Sequence, residues 1–139
     1  MISYNSENTF KLDNEHQISS WIEEVITEEN FKLGEINYIF CNDDYLHKLN
    51  VEFLQHDTLT DIISFDYTVG KLIQGDIYVS TERVADNAKD FQVSFQEELL
   101  RVMVHGVLHY CGYKDKTDAE AHTMREKENH YLQKFANMQ

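Results

Sequence analysis

Apolar residues recur every three or four positions between His16 and Phe31. Ile18, Trp21, Ile22, Val25 and Ile26 share one side of an amphipathic helix over HQISSWIEEVITEENF, with Gly34 marking the stop. The period then changes to two. EINYIFC places Ile36, Tyr38 and Phe40 on one side and Asn37, Ile39 and Cys41 on the other, the pattern of a strand. Residues 2–5 predict a short first strand, and Asn42 is placed to cap a helix over DDYLHKLNVEFL, whose first turn is acidic as the helix dipole favours. After a polar loop, QHDTLT, the β-branched and aromatic segments DIISFDY and KLIQGDIYVS read as two strands joined by a turn at Thr68, Val69 and Gly70. Thr81 is the expected cap of a helix through Ala88, with a break at residues 92–94. FQEELLRVMVHGVLHYCGY is helical, and a last amphipathic helix runs from about Asp118 to Phe135. Strands and helices alternating with one hairpin imply an α+β fold: a small mixed four-stranded sheet layered with helices.

The helix after the break differs from the others. From Leu99 to Cys111 nearly every side chain is apolar, which places this segment in the centre of the domain. Arg101, His105 and His109 interrupt it at i, i+4 and i+8, on one stripe. Buried polar groups need partners, so an aligned stripe points to a lined site. Two imidazoles one turn apart can converge on one metal ion, and Gly112 can take the left-handed conformation that ends a helix and returns Asp115 toward them. His105, His109 and Asp115 are therefore the candidate ligands of one divalent metal, zinc being the expected ion. Three protein ligands leave a fourth position open, as catalytic sites require. Cys111, about 200° round the helix from His109, points away. A chance His-x3-His has odds of roughly one in three in a chain with this many histidines, but adding Gly112 and Asp115 lowers them to about one in a thousand. The weight therefore rests on the extended pattern. The remaining histidines, His16, His47, His56, His122 and His130, lie in polar contexts and carry no such pattern.

Composition narrows the classes. The 139-residue length fits one domain over residues 1–139, and two cysteines are too few for a disulfide framework. With no signal-peptide pattern and no apolar run of membrane length, the expected setting is the cytoplasm, with no membrane partner. A formal net charge of −13 opposes a chain-wide basic face for nucleic acid. The acid is uneven: residues 1–30 hold seven acidic and one basic side chain, residues 114–139 five of each, so a polyanion approaches more easily at the C-terminal part.

The H-x-x-x-H-x-x-G-x-x-[HD] spacing is also that of metzincin proteases, in which the residue after the first His is the Glu that serves as general base. Here it is Gly106. Peptide hydrolysis is accordingly the less favoured chemistry.

His105-Gly106-Val107-Leu108-His109-Tyr110-Cys111-Gly112-Tyr113-Lys114-Asp115 resembles the H-G-x-L-H-x-x-G-Y-D-H signature of the YbeY family of endoribonucleases, also called rRNA maturation factors. Asn50, Asp57 and Thr60-Asp61-Ile62-Ile63-Ser64-Phe65 resemble the family's N…D…TDVLSF stretch, and Gly75-Asp76-Ile77 its GDI strand, so the resemblance spans essentially the whole chain. It implies one metal-dependent hydrolase domain with a zincin-like site on its central helix. The implied activity is single-strand-specific cleavage of RNA in ribosome biogenesis, at the 3′ end of 16S rRNA, with ribosomal RNA and the small subunit or its proteins as partners. Two positions depart from the family: Asp115 stands where the third ligand is usually His, and Leu54 where an Arg is usual. A two-nitrogen, one-oxygen set suits zinc and also nickel or manganese. Arg101, one turn before His105, is long enough to reach a phosphate at the metal and is the candidate substrate-binding residue; its alternative partner is a carboxylate such as Glu97 or Glu98. Asp61 and Asp57 are the candidate general bases. The rival functions are a non-cleaving, metal-stabilised ribosome assembly factor and, less favoured, a metalloprotease.

Overall fold

In the computed structural model, which describes residues 1–54 and 60–138, the elements run β1 (Ile2–Ser6), α1 (Glu15–Glu28), β2 (Lys32–Cys41), α2 (Asp43–Leu54), β3 (Ile62–Asp66), β4 (Leu72–Ser80), α3 (Thr81–Phe91), α4 (Phe95–Tyr110) and α5 (Asp118–Asn137). The sheet order is β1-β2-β4-β3. β1 and β4 both run parallel to β2, and β3 closes the edge antiparallel to β4 with Ile62 opposite Val79 and Ser64 opposite Ile77. The expected α+β architecture is the one observed. Most of the polar loop before β3, Asp57 and His56 included, lies outside the described residues, as does the side chain of Leu54.

The period-two pattern of β2 sorts its side chains as expected. Ile36, Tyr38 and Phe40 are buried together with Ile73, Ile77 and Val79 of β4, beneath the apolar stripe of α1 and the near-continuous apolar surface of α4. The Tyr38 hydroxyl, inside this core, donates to the Met103 carbonyl of α4 at 2.9 Å, so its polar end is satisfied without reaching water. Trp21 Nε1 donates to the Tyr131 carbonyl at 2.7 Å and joins α1 to α5. The opposite face of the sheet carries a smaller cluster, Cys41, Leu46 and Ile63, under α2. The sheet is thus covered on both sides, with α4 the most enclosed helix.

Three local expectations need correction. Gly34 does not stop α1; it lies within β2, where a Cβ would come within 2.8 Å of the Ile73 carbonyl oxygen of β4, so its place reflects close backbone approach. The helix ends at Glu28, and Asn30, with a φ of +67°, makes the left-handed reversal that asparagine tolerates. Ser80, not Thr81, caps α3, its side chain accepting from the Arg83 N–H at 3.1 Å, and α3 continues beyond Ala88 to Phe91 because Gln92, not an earlier residue, turns left-handed. Ser94 caps α4 in the same way through the Glu97 N–H at 3.0 Å. That cap fixes the start of the helix carrying both histidines.

Candidate metal centre

α4 ends at Tyr110 in a Schellman motif: the Tyr113 N–H returns to the Leu108 carbonyl at 3.1 Å and the Gly112 N–H to the His109 carbonyl at 3.0 Å. This requires a positive φ at Gly112, +101°. The reversal carries Asp115 back beside the helix it has just left. His105 Nε2 and His109 Nε2 are 2.9 Å apart, and Asp115 Oδ2 lies 3.2 Å from the first and 3.3 Å from the second. The three candidate ligands therefore meet, as the spacing predicts. Cys111 takes no part in the group. It packs against the main core, and burial pushes its thiol up to about 12.

The outer hydrogen bonds fix which nitrogen faces inward. His109 Nδ1 lies 2.9 Å from the Tyr113 carbonyl, which can only accept, so the proton sits on Nδ1 and the Nε2 lone pair faces Asp115. His105 Nδ1 lies 2.6 Å from Glu128 Oε2 of α5, and donation to that carboxylate frees its Nε2 in the same sense. When each ring carries its proton on Nδ1 alone, three acceptors converge, an arrangement that a cation resolves; a second proton, on His105 Nε2, would instead donate to His109 Nε2 or Asp115 Oδ2. Donors about 2.0–2.2 Å from a tetrahedral zinc lie about 3.3–3.6 Å from one another, which the two spacings to Asp115 approach, whereas the two imidazole nitrogens at 2.9 Å would have to move apart by about 0.4 Å or more.

Glu128 was not singled out by sequence reasoning, although a signal was present. It falls on the buried stripe of α5 with Met124, Tyr131 and Phe135, where a carboxylate is out of place unless paired. Burial pushes its carboxyl up, but hydrogen bonds from His105 and Arg101 outweigh burial and hold it below the usual range. Burial likewise opposes charge on His105, while the Glu128 hydrogen bond and negative charge win and raise it. Glu29, at the end of α1, was also missed. It accepts from the Tyr113 hydroxyl at 2.7 Å, from Lys127 Nζ at 3.2 Å and from the Tyr131 hydroxyl, and so ties the Gly112 turn to α1 and α5. No sequence pattern links positions that far apart.

A cleft of about 300 Å³ opens beside His105 and Asp115, walled by Asp61 and Ile62 near β3, by Asn87 and Phe91 of α3, by Glu98 and Arg101 of α4, and by Arg125 and Glu128 of α5. Asp61 is thereby brought to the site; burial pushes its carboxyl up, against the opposing charge of His105. Arg101 also reaches the cleft, but its partners are Glu128 (Nη1 to Oε1, 3.0 Å) and Asn129 (Nη2 to Oδ1, 2.9 Å), not Glu97 or Glu98. α5 crosses the stripe on which Arg101 lies, so the nearer carboxylate in space is more distant in sequence. A phosphate would have to compete with both bonds. Gly106, beside the first ligand, is a packing position: a Cβ there would meet the Cδ1 atoms of Ile62 and Ile77 at 3.1 Å.

Fold and donor group together define a class, an α+β protein with a candidate three-donor metal site at the end of its buried central helix. A family model described as Endoribonuclease YbeY matches residues 2–136. The chain belongs to the YbeY endoribonuclease family. Proteins named Endoribonuclease YbeY from Flavobacterium johnsoniae and Flavobacterium psychrophilum are 64% and 58% identical to it over 135 residues, covering 97% of this chain in each case and 97% and 96% of those proteins. The solution structure of TM1509 from Thermotoga maritima superposes with a TM-score of 0.71 at 28% identity, over 99% of this chain and 91% of that one.

Proposed function

We propose that this protein is a metal-dependent endoribonuclease that cuts single-stranded RNA and acts in the cytoplasm in ribosome biogenesis, maturing the 3′ end of 16S rRNA. One observation carries the reading: three acceptor atoms, His105 Nε2, His109 Nε2 and Asp115 Oδ2, converge within 3.3 Å beside a cleft that also holds Asp61. Relatives at 64% and 58% identity bear the name of an endoribonuclease, which supplies the substrate class. The expected ion is zinc, held singly by the three side chains. A bound divalent ion supplies Lewis acidity toward a phosphoryl oxygen and lowers the pKa of water.

The chain's own residues do the rest. Glu128 and the Tyr113 carbonyl hold the two imidazoles in the Nδ1–H tautomer. Asp61, its carboxyl raised by burial, accepts the proton of the attacking water as phosphodiester cleavage begins; a base shifted toward neutrality is better matched to that task. Arg101 holds Glu128 and reaches substrate phosphate only by exchanging those bonds. Asp57 is the other candidate base. The non-cleaving assembly factor is favoured by the four carboxylates of the cleft, Asp61, Glu98, Asp115 and Glu128, which resist a polyanion until a cation offsets them. No helix among the described residues is long and apolar enough to cross a membrane.

The test is cleavage of a labelled single-stranded RNA. Chelation should stop it, zinc should restore it, and the His105→Ala, His109→Ala double variant should lose both metal and activity. Asp61→Asn should lower cleavage by about 10²–10⁴-fold with metal content unchanged. Metal bound and RNA bound with no cleavage under any divalent ion would favour the assembly factor, and cleavage of unfolded protein would favour the protease.

A further inference from the structure

We propose that the α3–α5 rim of the metal cleft is a nucleotide subsite, in which Phe91 stacks on an unpaired base, Asn87 meets that base's polar edge and Arg125 holds the adjoining phosphate. The inference rests on the nuclease reading and assigns substrate contacts that neither the motif nor the donor group specifies. Phe91 is the last residue of α3 and is 58% exposed. Phe53, equally exposed at 59%, at least packs edge-on against Phe65 with centroids 6.0 Å apart; Phe91 has no ring partner among the described residues. Yet Phe91 and Asn87, one turn earlier on α3, line the same cleft as His105 and Asp115.

The cation follows by comparing the two arginines there. Arg101 is 16% exposed and spends two nitrogens on Glu128 and Asn129. Arg125 is 57% exposed, and its contact with Glu128 is a loose 3.9 Å. Arg125 can therefore turn to a phosphate at little cost, whereas Arg101 must first release a buried carboxylate. The cleft volume of about 300 Å³ lies at the low end for small-molecule sites, suited to one flipped-out nucleotide and not to a duplex. Unpaired bases are the form of RNA that proteins read by stacking on aromatic rings.

The experiment measures binding of a short fluorescent 2′-O-methyl phosphorothioate oligoribonucleotide to the zinc-loaded protein by anisotropy, across a salt series, alongside RNA cleavage by the parent. Phe91→Ala should weaken binding on the order of tenfold with the salt slope unchanged, and Phe91→Tyr should bind like the parent. Arg125→Ala should lower the slope of log K against log salt by about 0.7, the share of one phosphate on a single strand. Phe53→Ala is the control for loss of an exposed ring, and all four variants alter exposed side chains, so circular dichroism should match the parent. A parent that cleaves RNA while Phe91→Ala and Arg125→Ala bind as it does overturns the subsite and leaves the nuclease reading standing. Binding that depends on both residues without cleavage keeps the subsite and removes the nuclease reading. A parent that neither binds nor cleaves removes both.

Discussion

Replacing Glu128 by Gln tests whether the candidate metal centre depends on a residue outside its three candidate ligands. Glu128 is 5% exposed and serves two donors with two separate oxygens: Oε2 faces His105 Nδ1 at 2.6 Å and Oε1 faces Arg101 Nη1 at 3.0 Å. A carboxamide keeps the shape but has one acceptor oxygen. Whichever way the new amide turns, its NH2 confronts either an imidazole N–H or a guanidinium. If it confronts His105, the ring's proton is driven from Nδ1 to Nε2 and the lone pair leaves the site. Outer partners of metal-bound histidine are typically worth 10–100-fold in metal affinity, so zinc binding should weaken by about 1.4–2.7 kcal/mol. The metal-free protein should also lose about 1–3 kcal/mol for the unpaired buried donor. Competition against a chromophoric chelator reads the first quantity, and denaturant unfolding in excess chelator reads the second. Parent zinc affinity in Glu128→Gln, alongside loss of zinc in His105→Ala, would refute the claim that Glu128 orients the ligand.

Three further outcomes are expected. Without metal, the raised His105 contributes stability that is complete below its ordinary value of 6.5 and lost as pH rises through its raised value, whereas the lowered Glu128 contributes stability present above its ordinary 4.5 and lost as pH falls through its lowered one. Zinc requires the neutral ring, so the zinc-induced gain should instead grow with pH across the same His105 range; thermal melts with chelator and with zinc, at matched pH, compare the two trends, and parallel curves would argue against His105 as a ligand. Asp115→His should retain zinc and Asp115→Ala should lose at least tenfold in affinity by the chelator assay; unchanged binding in Asp115→Ala would place the third donor elsewhere. Gly106→Glu, which restores the protease-type base, should destabilise by about 3 kcal/mol or more in urea unfolding, because the new side chain meets Ile62 and Ile77, and should yield no peptidase activity.

What the sequence determined by itself was periodic or contiguous. The buried stripe Ile18, Trp21, Ile22, Val25 and Ile26 follows from a 3.6-residue period, and Ile36, Tyr38 and Phe40 from a period of two. His105, His109 and Asp115 converge because the helix rise and the Schellman turn at Gly112 are local rules, so the candidate ligand group was legible before any tertiary contact was known. Whether Gly34 ends a helix or admits a neighbouring strand turned on cross-strand approach, and which of two adjacent hydroxyl residues caps α3 turned on where β4 ends, at Ser80; neither was legible. Glu128 and Glu29 lie 23 residues from His105 and 102 residues from Tyr131 along the chain, and only the packing of α5 across α4 and α1 gives them partners. The same packing diverts Arg101 toward Glu128 and leaves Arg125 on the rim with Phe91. Local hydrogen-bond geometry is encoded within a turn or two of chain, whereas the choice between competing charged partners depends on distances that exist only after the helices have docked.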